Sequence, residues 1–236
     1  MKISIILLAY NEEKNIKDEI NKVKEVILDK LDNHEFIIAE DGSTDKTKEI
    51  ILEKKGKLNF IYSTSDKRRG VRGAMLESFK IATGDYIFFA DSGKKFDFND
   101  FWELFKLKEK YDLVSALRTS RKDQLYRIFL TKAFNFFLKI TLKSKFKDID
   151  SGFKIFSKKA LKKITEIEAI NSDFLSAELC LKLQYYKFNF VEIPVKYFHR
   201  KEDSKALPMG LIPRLIINFL MNFFKLKKQL KTINQI

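Results

Sequence analysis

Cysteine is all but missing from this chain: Cys180 is the only one in 236 residues, which excludes an internal disulfide. Its neighbours Leu179 and Leu181 predict a buried helix face rather than a reactive thiol. Proline and glycine are scarce as well, at three and eight. Beside 45% hydrophobic residues, that scarcity rules out a collagen-like chain or a disordered tail. The opening apolar run, residues 3–8, is too short for the core of an export signal and lacks a small-residue cleavage site. These absences together predict a globular protein of a reducing, cytoplasmic setting.

Acids are in deficit, 32 against 46 Lys and Arg, and the resulting charge of +14 is uneven. Residues 118–147 carry nine Lys or Arg against the single acid Asp123, and residues 201–236 carry seven against Glu202 and Asp203. Those two stretches hold 13 of the 14 net charges, so the basic character belongs to two surfaces, where anionic partners are expected.

What is present is an alternation of apolar runs and helical patterns, the signature of an α/β chain with a mostly parallel sheet flanked by helices. The pattern predicts strands over 3–8, 36–39, 58–62 and 85–90, with helices over 12–30, 43–55 and 73–82 between and after them. Each acidic or glycine cluster is thereby expected at the carboxyl end of a strand, where open α/β sheets place ligands. The second half is less regular, with helices over 100–110, 125–142 and 173–184 and strands over 113–117, 152–156 and 190–197. The length suits one core, read as a domain over 1–205 followed by a C-terminal basic amphipathic helix within 206–236.

The run 211–224 is apolar except for Arg214, Asn218 and Asn222, one polar stripe with a spacing of four, and it ends in Lys225, Lys227 and Lys228. It falls short of the ~20 apolar residues that cross a bilayer, so lying in the interface is the expected mode. Residues 125–142 repeat the design, with a stripe at Arg127, Thr131, Asn135, Lys139 and Lys143. The two helices read as a platform for an anionic membrane surface, on its cytoplasmic inner face. The alternative is that both pack on the protein's own core or on a second subunit.

Three clusters carry chemistry: Ala9-Tyr10-Asn11-Glu12-Glu13, Glu40-Asp41-Gly42-Ser43-Thr44-Asp45-Lys46-Thr47, and Ala82-Thr83-Gly84-Asp85-Tyr86 leading to Asp91. In order and spacing they resemble glycosyltransferase family two, especially its branch of dolichyl- and polyprenyl-phosphate mannosyl- and glucosyltransferases. The resemblance covers residues 1–225 and implies the GT-A fold and sugar transfer from a GDP- or UDP-linked donor to a lipid-phosphate acceptor, with inversion. By that similarity Tyr10, Asn11, Glu12 and Asp41 hold the nucleoside, and Asp91 approaches the sugar and a diphosphate bound to Mg2+ or Mn2+. Between the second and third clusters, residues 67–73 set four cations, Arg72 among them, beside Gly70 and Gly73 at a helix start, which suits a phosphate or, as the bland alternative, a solvated basic loop.

One position departs from the family's Asp-x-Asp: here it reads Asp91-Ser92-Gly93-Lys94-Lys95. A single carboxylate weakens metal binding, and Lys94 or Lys95 is the candidate replacement for part of the missing positive charge. The second half continues the likeness. Asp148-Ile149-Asp150-Ser151-Gly152-Phe153-Lys154 matches the family's Asp-x-x-Ser-Gly-Phe-Arg/Lys stretch, and Glu192-Ile193-Pro194-Val195 precedes Arg200, Ser204 and Lys205. Similarity puts Lys154, Arg200, Ser204 and Lys205 near phosphates. An anionic lipid-phosphate acceptor needs no strong base, whereas a hydroxyl does, and Asp150 and Glu178 are then the candidates, each with the alternative of a structural acid paired to a lysine. Two readings of another kind stand beside the enzyme: a catalytically inactive scaffold, for which Gly93 is the argument, and a basic nucleic-acid-binding protein, suggested by aromatics such as Phe134, Phe136 and Phe137. Nucleic acid is not the expected partner, because the acidic strand-end clusters would repel phosphate.

Overall fold

The computed structural model describes residues 1–119, 125–170, 174–198, 210 and 212–233. One seven-stranded sheet runs in the order β3-β2-β1-β4-β6-β5-β7. β1 (Ile3–Ala9), β2 (His34–Glu40), β3 (Ile61–Ser63) and β4 (Tyr86–Asp91) form its parallel half. Every residue of β1 is buried, as a central strand covered on both faces requires. β6 (Phe153–Ser157) then inserts antiparallel between β4 and β5 (Leu113–Thr119), and β7 (Phe190–Lys196) closes the edge parallel to β5.

Helices α1 (Ile16–Val26), α2 (Thr47–Lys55) and α3 (Gly70–Ile81) follow the first three strands. α4 (Phe101–Phe105), α5 (Leu125–Leu142), α6 (Lys158–Thr165), α7 (Leu175–Tyr185) and α8 (Ile212–Ile233) complete the set. One apolar cluster, centred on Ile5, Ile20, Phe88 and Phe101, lies over one sheet face. A second, with Ile6, Phe79, Phe156 and Leu179, lies over the other and draws in Phe219, Phe223 and Leu230 of α8.

Several element bounds differ from the sequence pattern. α1 starts at Ile16 rather than 12, because Asn11 adopts a left-handed φ of 52° and the main chain turns at the Glu12 carbonyl, which accepts from the N–H of Asn15 and Ile16. α4 ends at Phe105, well short of 110. α6 is an added element: Ser157 caps it by accepting from the Ala160 N–H, and it buries Ala160, Leu161 and Ile164. α8 continues to Ile233, since Leu226, Leu230 and Ile233 extend the buried stripe beyond the run at 211–224.

Candidate active site at the carboxyl rim of the sheet

The register brings three chain-distant acids together. Ala9 pairs with Glu40 and Leu8 with Asp91, so the segments leaving β1, β2 and β4 emerge side by side. Tyr10 and Glu12 leave β1, Asp41 leaves β2, and Asp91 ends β4. The first two loops are stitched to each other: the Asn11 N–H donates to Ser43 Oγ at 3.0 Å, the Thr44 N–H to Asn11 Oδ1 at 2.8 Å, and the Glu12 N–H to Thr47 Oγ1 at 2.7 Å. Glu12 is buried, and its Oε2 accepts from Asn15 Nδ2 at 3.0 Å. Glu40, fully buried, accepts from Thr64 Oγ1 and the Ser43 N–H and so shapes the loop from beneath.

Asp41 is the buried acceptor of this crevice, 2% exposed. Burial pushes its carboxyl up, opposed by the Arg69 N–H, which donates to Oδ1 at 2.8 Å, and by the charges of Arg68 and Arg69. The Arg68 guanidinium lies 4.2 Å from the centre of the Tyr10 ring and 4.0 Å from Asp41 Oδ2. Gly42, at φ 69°, lets this loop pass: a Cβ there would meet the Arg68 nitrogen at 2.6 Å. Neither Arg68's place on Tyr10 nor its ion pair was legible beyond the basic run 67–73. Of that run, Gly70 opens α3 at φ 76° with free space around it, while Arg72 turns away, bonding the Ala169 carbonyl at 3.0 Å and pairing with Glu168 at 3.5 Å.

Asp91 sits on the second half of the chain. Its N–H donates to the Gly152 carbonyl at 2.9 Å, and its carboxylate lies so close over Gly152 that a Cβ there would fall 2.1 Å from Oδ2. Lys95 Nζ stands 3.7 Å from that same oxygen. Lys94 points elsewhere, to Asp18 at 2.8 Å. The turn between them is clamped by Glu19 of α1, which is 4% exposed and accepts from the N–H groups of Gly93 (2.9 and 3.0 Å) and Lys94 (2.8 Å). Burial raises the Glu19 carboxyl to about 7, the two N–H groups and Lys95 opposing and Glu12 adding. The sequence did hold a signal for Glu19: it occupies an apolar-face position between Ile16, Ile20 and Val23. For a divalent ion these residues fit poorly. Gly93 offers no carboxylate, an ammonium already neighbours Asp91, and no group of three His, Cys, Asp or Glu is placed to hold a metal among the described residues.

Asp150 and Gly152 reach the rim from the turn that leads into β6, and Lys154 lies on the strand itself. Asp148 is buried in a two-pronged pair with Arg118, at 2.6 and 2.7 Å. Burial works against its ionised form, yet the Arg118 bonds prevail and hold its carboxyl below the usual range. Asp150 is exposed to solvent in the turn before β6. The enclosing protein raises its carboxyl, Arg118 and Lys154 oppose, and Asp91 and Asp148 add to the rise. Lys154 is fully buried, its ammonium on the Ser151 carbonyl and on Ser176 Oγ at 3.1 Å. Glu178 is enclosed with Lys182 at 2.9 Å and accepts from the Ile170 N–H at 2.9 Å. The stretch 82–86 is a correction. Gly84 and Asp85 precede β4, at the rim opposite the crevice, where Gly84 N–H donates to Ser4 Oγ and Asp85 accepts from the Lys2 N–H, both at 2.9 Å. A Cβ at Gly84 would meet the Ser4 nitrogen at 2.6 Å, so this glycine serves close strand packing. Arg200, Ser204 and Lys205 lie outside the described residues.

The seven-stranded sheet with its flanking helices is the GT-A fold. Residues 4–165 match Glycosyl transferase family 2, and the chain belongs to that family. Among curated relatives, Glycosyltransferase AglD of Haloferax volcanii is 29% identical over 219 residues, covering 87% of this chain and 34% of that protein. The dolichol-phosphate mannosyltransferase of Pyrococcus furiosus is 24% identical, covering 97% of this chain and 64% of that protein. The chain thus spans about a third of the first relative's length and just under two thirds of the second's. Among solved structures, glucosyl-3-phosphoglycerate synthase from Mycobacterium tuberculosis, in complex with Mn2+, UDP and phosphoglyceric acid, superposes with a TM-score of 0.66 at 18% identity, over 94% of this chain and 78% of that one. That likeness speaks for the fold.

Proposed function

We propose that this chain moves a sugar from a UDP- or GDP-linked donor to a polyprenyl phosphate at a membrane surface, by inverting displacement. The observation that carries the reading is the convergence of Glu12, Asp41 and Asp91 at one rim through the β2-β1-β4 register. Asp41 and Tyr10 present an acceptor and an aromatic face, the two things a nucleobase and ribose need, and Asp91 faces the sugar side. A phosphate acceptor arrives already ionised, so its oxygen attacks without prior deprotonation and the chain's part is alignment and charge neutralisation. The name of the dolichol-phosphate relative supports that acceptor.

The outer faces of α5 and α8 support the membrane. The two helices pack on each other through Phe134, Phe137, Phe219 and Phe223, and leave Phe129, Phe136 and Ile140 of α5 and Ile217, Met221 and Phe224 of α8 exposed. Lysines 132, 139, 225 and 228 are exposed on the same two helices. No helix among the described residues is long and apolar enough to cross a membrane. A peripheral position on the cytoplasmic leaflet follows from this reading. The nucleic-acid reading weakens, since Phe134 and Phe137 pack against α8 and only Phe136 of the three aromatics stands exposed, which makes no stacking platform.

The test is consumption of a panel of UDP- and GDP-sugars with a short polyprenyl phosphate as acceptor. Transfer is expected from one donor family and is lost in Asp41→Ala. Asp150→Asn is expected to keep transfer to the phosphate, because no base is needed, and to lose it with a polyprenol. A panel in which no donor is consumed and none raises the melting temperature overturns the proposal.

A further inference from the structure

We infer that the Lys95 ammonium is a built-in cation for the donor diphosphate, so that donor binding does not depend on a divalent metal. The inference rests on the transferase reading above and deepens it. Two adjacent lysines follow Gly93, and the structure separates them: Lys94 is drawn out to Asp18 at 2.8 Å, whereas Lys95 turns inward to Asp91 Oδ2 at 3.7 Å, its side chain 21% exposed.

The separation is built into the backbone. Gly93 at φ 103° and Lys94 at φ 52° both lie in the left-handed region, and Glu19 fixes that turn by accepting from both of their N–H groups. A residue other than glycine at 93 would be strained there, so the position that carries a carboxylate in the family's Asp-x-Asp is given over to the turn. What the turn delivers to Asp91 is a cation. An ammonium and a divalent ion at one carboxylate repel each other, and the ammonium offers three donors to phosphate oxygens without any ion being recruited. The 3.7 Å separation is longer than a charge-assisted hydrogen bond, which leaves Lys95 able to shift from Asp91 to an arriving phosphate.

Calorimetric titration of the full chain with UDP, GDP, uridine and guanosine, in excess EDTA and again in Mn2+, tests this. One diphosphate is expected to bind equally well in both conditions. Lys95→Met should weaken that diphosphate about ten- to a hundred-fold, the loss of a charged hydrogen bond, and leave the matching nucleoside unchanged as the control for folding. Lys95→Arg should restore most of the loss, and Lys94→Met should bind as the wild type does. Diphosphate binding that appears only with Mn2+, or a Lys95→Met variant indistinguishable from wild type, overturns the inference and leaves the transferase reading standing. Absence of diphosphate binding by the wild type in both conditions overturns the two together.

Discussion

Glu19→Gln is expected to remove a pH dependence from folding that a single buried carboxylate creates. Glu19 sits among Ile16, Ile20 and Val23 on the core side of α1, and burial lifts its pKa from the ordinary 4.5 to about 7 despite the N–H groups of Gly93 and Lys94. Between those two values the folded chain keeps a proton that the unfolded chain has lost. Stability from this group is therefore full below about 4.5, falls as pH rises towards 7, and is level above it. The rise sets a ceiling of about 3 kcal/mol at 1.36 kcal/mol per pH unit. Glu35 works in a separate window: burial would raise it, but bonds from Lys2, Ser4 and Thr83 hold it at about 2, so its contribution is full above 4.5, is lost as pH falls towards 2, and cancels between wild type and variant. Urea unfolding of both proteins from about pH 5 to about pH 8 reads the difference directly. The wild type should lose its advantage over Glu19→Gln steadily up to neutrality. A difference that stays constant across that range refutes the buried-carboxylate account.

Glu178→Ala should cost about 3–5 kcal/mol in the same unfolding assay, because it strands Lys182, which is 0% exposed, as an unpaired buried cation; a stable variant that has lost transfer would instead make Glu178 the base. In flotation with anionic liposomes the wild type should rise with the lipid. Phe129→Glu together with Phe224→Glu, at sites 70% and 74% exposed, should lower the bound fraction by about tenfold or more. Equal flotation of the two would remove the membrane face.

The parallel half of the fold was legible because burial on both faces writes continuous apolar runs, and the β2-β1-β4 rim follows from them once acids are noticed at two of the run ends. What sequence hid was whatever depends on partners far away in the chain. α6 has no counterpart in the sequence pattern, since Lys158, Lys159, Lys162 and Lys163 mask the three apolar residues that face the core. Gly84 looked like part of a ligand loop, and only the Ser4 backbone beside it shows that its task is packing. Arg68 was one of four cations in a basic stretch. Its stacking on Tyr10 depends on Gly42 letting one loop cross another, which no spacing rule encodes.

The direction of β6 decides whether the second half of the chain takes part in the chemistry at all. Run antiparallel, with Ala90 opposite Phe153 and Tyr86 opposite Ser157, the strand begins at the rim where β4 ends. Residues 150–152 therefore arrive beside Asp91, Gly152 accepts its N–H, and the carboxylate comes to lie against the Gly152 α-carbon. A parallel β6 would carry Asp150 to the opposite rim, beside Gly84 and Asp85, and leave Asp91 without that support. The glycine of Asp150-Ser151-Gly152 is then a steric demand of Asp91: any side chain at 152 must push the carboxylate out of the crevice or part β4 from β6.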